Sequence, residues 1–332
     1  MQVTPRNLLI LFMVVALVAL PTVAPVFKSE FLVSTFTRII IFAIAAVSLD
    51  FILGYAGMVS FGHAAFFGLG GYVVAILSYH SFENISLFGL PLSLSGTDSA
   101  LIAWPIAILI TGLVALVIGA LSLRSEGVFF IMITLAFSQM IYFTMMSMSQ
   151  YGGDDGLNIS GRNTLPFIDT RDDSVFYYLC LAILVAFVAF CRRLTRSRWG
   201  MVLLACRQNE KRARALGIWP FPYKLAAFVL SGAGTGLAGA LMANQTIFIS
   251  SHDLRWQISG DLMVMVILGG IGTLYGPIIG AAIYLLLSEF LGVRELFGSI
   301  AYHWQFVFGC LLVLVVIYAP RGVLNWFPET WR

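Results

Sequence analysis

The feature that most constrains this chain is a succession of apolar runs, each about as long as a bilayer is thick. A helix needs about 20 apolar residues to cross a membrane. Such windows fall near residues 8–27, 33–53, 61–79, 100–122, 127–148, 175–191, 223–248, 260–275, 277–291 and 300–319. The chain is 60% hydrophobic and 11% charged, with a mean hydropathy of +0.93, whereas a soluble domain carries about 25% charge. The expectation is therefore an all-α polytopic membrane protein of about ten transmembrane helices, within a range of roughly 8–11. The eighth and ninth windows are short and glycine-flanked, and read as Gly/Pro-broken half-helices. Arg6 before the apolar run Leu8–Leu20 has the outline of a signal peptide. Because apolar character continues to Phe27, the run is read as a first transmembrane helix.

One stretch interrupts this pattern. From Arg192 to Pro222 the chain reads RRLTRSRWGMVLLACRQNEKRARALGIWPFP, and eight of the chain's 19 Lys and Arg lie in it against one acid, Glu210. Short basic loops stay cytoplasmic, so this segment sets the orientation, with both termini cytoplasmic. Thirteen basic residues then face inward: Arg6, Arg124, the eight, Lys224, Arg321 and Arg332. Six face outward: Lys28, Arg38, Arg162, Arg171, Arg255 and Arg294. Residues 80–99 and 149–174 become outer loops, the second acidic and turn-rich; it reads either as a solvated rim or as a docking surface for an external protein. Nothing else is long and polar enough to form a soluble domain, so residues 1–332 read as a single membrane domain.

Within the basic stretch, Met201–Leu216 favours helix, stopped by Gly217 with Pro220 beyond. Glu210 and Arg214 form an i, i+4 pair with the acid first. Arg207 and Arg214 fall two turns apart, on one side of such a helix.

Ile52-Leu53-Gly54-x-x-Gly57 is echoed by Ile267-Leu268-Gly269-x-x-Gly272 at an offset of 215, followed by Gly62 and Gly276 respectively. Matched glycine breaks in apolar segments point to a transport pathway, or to close helix packing by small residues; both readings stay open. Asp50, Asp261 and Glu289 lie in or beside spans, and His63 follows the first break. Ionisable groups are costly there and read as ion sites or as caps of half-helices, Asp261 suiting a helix N-terminus.

Other motifs fail for lack of context. Gly234-x-Gly236-x-x-Gly239 spells a dinucleotide fingerprint but sits in an apolar helix rather than a βαβ unit. Ser60 and His63 lack a third partner for hydrolysis, so no catalytic residue is assigned. No metal site follows from Cys180, Cys191, Cys206 and Cys310, which show no CxxC spacing and read as small buried hydrophobes.

GYAGMVSFGHAAFFGLGGY (Gly54–Tyr72), GGDDGL (Gly152–Leu157), GMVLLACRQNEKRARALGI (Gly200–Ile218), YKLAAFVLSGAGTGLAGAL (Tyr223–Leu241), VILGGIGTLYGPIIGA (Val266–Ala281) and APRGVL (Ala319–Leu324) together resemble LivM-type permeases of branched-chain amino acid ABC importers. The resemblance implies a bacterial inner-membrane subunit that works beside a second, LivH-like permease, two cytosolic ATPases and a periplasmic solute-binding protein, in contact with lipid and not nucleic acid. It implies that Arg207, Glu210, Ala213, Arg214 and Gly217 belong to a cytoplasmic coupling loop within 192–222 that docks on an ATPase. Lys211 and Arg212 stand where the family's coupling pattern has alanines. Gly54, Gly57, Ser60, His63, Gly269, Gly270, Gly272, Gly276 and Pro277 would line or gate the path. This chain would carry no cofactor of its own, ATP and Mg residing on the partners, and no GxxxxGK[ST] motif occurs in it. Related permeases serve urea, short amides and small carboxylates. An ion-gradient-driven secondary transporter is the rival class.

Overall fold

A computed structural model describes residues 21, 30–83, 96–125, 127–166, 168–291, 304–318 and 322. The expected first span, 8–27, lies outside the described residues but for residue 21, as do Lys28, Arg294, Arg321 and Arg332 and most of the 80–99 loop. Among the described residues the chain forms eleven α-helices. Six are long and apolar enough to cross a bilayer: Phe31–Ala56, His63–Glu83, Ala100–Ser122, Val128–Ser147, Asp173–Thr195 and Pro220–Thr246.

Helix α1 (Glu30–Asp50) is the axis of the bundle. Its first turns carry the exposed Phe31, Ser34 and Arg38, but from Ile39 to Ile52 it is almost wholly buried on every side, which suits a mainly apolar segment with no solvent face. Around it pack α5 (Asp173–Thr195), α8 (Pro220–Thr246), α9 (Trp256–Gly269) and α10 (Gly276–Leu291). Helix α2 (His63–Glu83) and α3 (Ala100–Ser122) pack on α8 and on each other.

The α2–α8 contact explains the GxGxxG sequence. A Cβ on Gly239 would strike the Phe67 carbonyl, and one on Gly70 would strike the carbonyl of Gly236. Glycines here let two backbones touch, the small-residue mode of membrane helix packing. Phe66 meets Phe228 edge-on at 5.7 Å, and Phe42 stacks on Phe67 at 5.4 Å, filling the space beside that contact.

Helices α3, α4 (Val128–Ser147) and α5 turn apolar faces outward, including Leu109, Leu113, Phe129, Met132, Phe143 and Val185. Only Phe130, Thr134 and Ser138 anchor α4 as buried residues. Exposed apolar area of this extent does not belong in water. The protein is an all-α, multi-pass membrane protein.

The two short windows are indeed short. Helix α9 has 14 residues and α10 has 16, and α11 (Trp304–Tyr318) has 15. The bundle has a basic end, where α6 (Arg198–Gln208) and α7 (Glu210–Ala215) lie, and an opposite, acidic end.

At the acidic end the described residues of the 149–174 stretch have ordered contacts, with Asp154, Asp155, Asp169, Asp172 and Asp173 exposed. Leu157–Asn158 pairs antiparallel with Phe248–Ile249, a two-residue ladder in an otherwise helical chain. Arg162 organises the residues after this ladder. Its guanidinium lies 4.8 Å from the Phe176 ring, ion-pairs with Asp173, and donates to the carbonyls of Asn244 (3.3 Å), Thr170 (3.2 Å) and Arg171 (3.2 Å). Asn163 N–H donates to Asn244 Oδ1 at 2.7 Å, and Thr164 N–H to the Asp98 carbonyl at 2.7 Å. Cys180, Cys191 and Cys206 are buried as expected, but Cys310, on α11, is exposed among the described residues rather than buried.

Gly239→Val forces a branched side chain into the Phe67 carbonyl, and overpacking of this kind costs about 1–3 kcal/mol. The detergent-solubilised variant is expected to melt below the wild type. Gly161→Ala, with nothing within 4 Å of the added carbon, is expected to melt with it. Thermal unfolding followed by size exclusion distinguishes them, and equal melting of all three would contradict the packing.

Candidate functional site

The first glycine break begins at Asp50. There α1 widens into a π-helical turn, Phe51–Ala56, ended by Gly57 at φ 72°. Residues 57–62 are non-helical until His63 opens α2. Backbone at this depth needs partners inside the protein, and side chains from α4 and α9 supply them. Phe61 N–H donates to Thr134 Oγ1 of α4 at 3.3 Å. Ser259 Oγ of α9 donates to the Phe61 carbonyl at 2.8 Å and accepts from Ala64 N–H at 2.7 Å. His63 Nε2 sits 2.8 Å from Ser231 Oγ of α8, and Ser231 and Ser48 exchange hydroxyl-to-carbonyl bonds across the α1–α8 contact. Ser60 accepts from Gly62 N–H at 3.2 Å. Ser60 and His63 thus have separate partners and form no hydrolytic pair.

The second break joins α9 to α10. Gly269 approaches the carbonyl of Gly276 too closely to carry a Cβ, Gly270 and Gly272 take φ of 119° and 78°, and Pro277 stands at the start of α10. Thr273 Oγ1 donates to the Gly270 carbonyl at 2.7 Å. Gly322, from the APRGVL stretch, packs on Gly270.

These two breaks touch. Gly272 N–H donates to Asp50 Oδ1 at 2.7 Å, and Gly54 lies so near Gly272 that a Cβ on Gly54 would strike the Gly272 backbone. The echoed motifs, 215 residues apart in sequence, form one contact.

The basic segment closes over this contact. Ser197 caps α6, its Oγ accepting from Gly200 N–H at 3.3 Å. The single helix expected over Met201–Leu216 is instead two, broken at Asn209, whose extended backbone ends α6. Its side chain caps α7 by accepting from Arg212 N–H at 2.9 Å. The break also leaves Arg207 and Arg214 on separate helices. Arg207 runs its stem over Gly57 and donates from Nη1 to the Gly54 carbonyl. Arg214 pairs with Glu210 at 2.7 Å, as the i, i+4 spacing implies. Gly217, at φ 82°, ends α7: Gly217 N–H donates to the Arg214 carbonyl and Ile218 N–H to that of Ala213. This pair of hydrogen bonds is the Schellman stop, which needs a left-handed residue. Ala213 is buried beneath α7, while Leu216 is 75% and Trp219 69% exposed.

Glu210 has a second partner that the sequence concealed, Lys224 of α8. Burial alone would raise the Glu210 carboxyl. The bonds from Lys224 and Arg214 outweigh it and hold the group below its ordinary 4.5. Beside this pair runs a groove of about 860 Å³, lined by Gly57, Val59, Arg124, Phe130, Arg214 and Trp219 among others, so the first break opens toward the basic end.

The family described as branched-chain amino acid transport system / permease component matches residues 31–316. The chain belongs to this family. It is similar to the high-affinity branched-chain amino acid transport system permease protein LivM of Escherichia coli K12, 28% identical over 93% of this chain and 74% of that one. The LivM protein of Salmonella typhimurium is 27% identical over 93% of this chain and 73% of its own length. The LivH permease protein of the same organism is 28% identical over 47% of this chain and 48% of its own. No solved structure gives a significant match.

Within this family member Asp261 and Glu289 have partners of their own. Asp261 does not cap α9, which starts five residues earlier at Trp256. It accepts from Tyr284 Oη at 2.7 Å and ties α9 to α10. Glu289 faces Arg38 at 3.4 Å. Sequence reasoning missed Asn209, Lys224, Thr134 and Ser259. Asn before Glu was a legible capping signal; the others lie too far along the chain from their partners.

Glu210 gives a pH test. Its folded pKa is depressed, so its contribution is present above the ordinary value and lost as pH falls through the folded one. Glu210→Gln is expected to lower the melting temperature at neutral pH, with the gap closing below about pH 4. A gap that persists in acid would show that Lys224 does not bind a charged Glu210.

Proposed function

We propose that this chain is the LivM-type permease subunit of an ABC importer that forms the translocation path for branched-chain amino acids. A second, LivH-like permease, two cytosolic ATPases and a periplasmic solute-binding protein complete the machine. The observation that carries this reading is the basic segment. It is a pair of capped helices that offers Leu216 and Trp219 outward while Arg207 and Glu210 grip the membrane helices behind it. Exposed apolar groups amid fixed positive charge suit a docking face for a soluble partner.

In this reading Arg207, Glu210, Ala213, Arg214 and Gly217 form the coupling loop on the cytoplasmic side of a bacterial inner membrane, by the positive-inside rule. Six long helices, three shorter apolar ones and the 8–27 run then account for ten spans, with both termini inside. The 13-to-6 division of Lys and Arg supports this orientation. Residues 1–332 form one permease domain, and the folded 149–174 stretch faces the binding protein. Gly54, Gly57, Ser60, His63, Gly269, Gly270, Gly272, Gly276 and Pro277 gate the path, and the groove beside Gly57 is its inner mouth. ATP and Mg act on the partner ATPases, whose closure would shift the loop and switch access between two states. The chain itself catalyses nothing. Urea, short amides or small carboxylates are the alternative cargo.

An ion-driven carrier needs buried carboxylates free to load and unload. Asp261 is bonded to Tyr284 and the partly exposed Glu289 to Arg38, which supports the ATP-driven reading. Asp50, with one oxygen bonded to Gly272 and the other buried without a partner, is the carboxylate the rival class would use.

Purification of the chain with its natural partners and reconstitution in proteoliposomes tests it. Uptake of leucine, isoleucine or valine is expected to require ATP and the binding protein, and Asp50→Asn is expected to leave uptake independent of a pH gradient. Gly217→Pro, which removes the N–H bonded to Arg214, is expected to abolish uptake at normal membrane levels. Uptake that tracks the pH gradient without ATP would overturn the reading.

A further inference from the structure

The importer reading places a coupling loop at the basic segment but does not say how its movement reaches the path. Three contacts in the structure join α5 and α6 to the two glycine breaks. Arg207 Nη1 donates to the Gly54 carbonyl in the π-helical turn. Trp199, at the start of α6, stacks on Phe51 of the same turn at 5.9 Å with the rings 9° from parallel. Arg192, in the last turn of α5, donates to Tyr275 Oη at 3.3 Å, one residue before α10.

The Gly54 carbonyl is a special acceptor. A π-helical turn leaves backbone groups outside the usual i→i−4 ladder, and a charged donor to such a carbonyl at membrane depth is strong because water competes poorly. On the other side of Gly54 is the second break, fixed to α1 by Asp50 Oδ1 accepting Gly272 N–H. Arg207, Gly54, Asp50 and Gly272 therefore form a single knot. Arg207 is its one component from outside the membrane helices.

We infer that Arg207 is a positioning residue that transmits displacement of α6 to both glycine breaks at once, by holding Gly54 against Gly272. Glu210–Lys224 acts in parallel, on α8. Because the bond is a single N–H donation and not a bidentate grip, a lysine at the position supplies an equivalent donor. This assignment rests on the importer reading above.

The test uses the complete importer in proteoliposomes, with uptake and ATP hydrolysis measured together for wild type, Arg207→Ala and Arg207→Lys. Uptake per ATP hydrolysed is expected to fall about tenfold or more in Arg207→Ala, the size of one lost charge-assisted bond. Arg207→Lys is expected to restore most of it. Hydrogen–deuterium exchange is expected to quicken in residues 52–58 and 268–276 of Arg207→Ala and to stay unchanged in residues 225–240. A merely structural arginine would loosen all three stretches and would not separate uptake from hydrolysis. Coupling within twofold of wild type in Arg207→Ala, general loosening, or failure of lysine to rescue each overturns the assignment. Wild-type uptake without ATP would instead sink the importer reading, so the two failures are distinguishable.

Discussion

Irregular backbone inside a membrane must find all its hydrogen bonds within the protein. Among the described residues the chain leaves helical geometry twice at that depth, and much of its architecture stems from meeting that requirement. The first break takes Thr134 from α4 and Ser259 from α9; the second takes Asp50 from α1 and its own Thr273. Helix α4, otherwise turned outward along most of its length, is held by the stripe that carries Thr134. The burial of α1 on all sides places Asp50 where Gly272 can use it.

The same requirement makes the breaks interdependent. Were each satisfied locally, one could open without the other. Instead Gly54 and Gly272 meet back to back, with Asp50 bonded on one side and Arg207 on the other. Packed interfaces of this kind have discrete arrangements rather than a continuum. On the proposed reading that is what an alternating path needs: a contact either made or broken, reached from the side where ATP is used. On that reading Arg207 is the charged lever, while the Glu210–Lys224 pair ties the adjoining helix to α8.

Much of this was legible in the sequence because it depends on local pattern. Apolar runs of bilayer length located the long helices within a few residues, and the glycine echo located both breaks. Gly217 marked the stop of α7 because a left-handed residue is needed there. The single helix over Met201–Leu216 failed because helix propensity said nothing against it while Asn209 capped a new start. What stayed hidden were pairings across great sequence distance: Arg207 with Gly54, Asp50 with Gly272, Ser259 with Phe61. Isolated serines, threonines and arginines carry no periodicity, so nothing in one sequence says which backbone group each will satisfy. The same holds for Arg162, which reads as one more outer-loop charge yet gathers the acidic end around itself.

The most direct test of the central claim is a pair of cryo-electron microscopy structures of the assembled importer, one nucleotide-free and one trapped with ATP. The account predicts that α6 moves between them and that the Arg207–Gly54 and Asp50–Gly272 contacts are made in one state and parted in the other. If both contacts persist unchanged while the path opens and closes elsewhere, the two breaks are structural joints and the account is wrong.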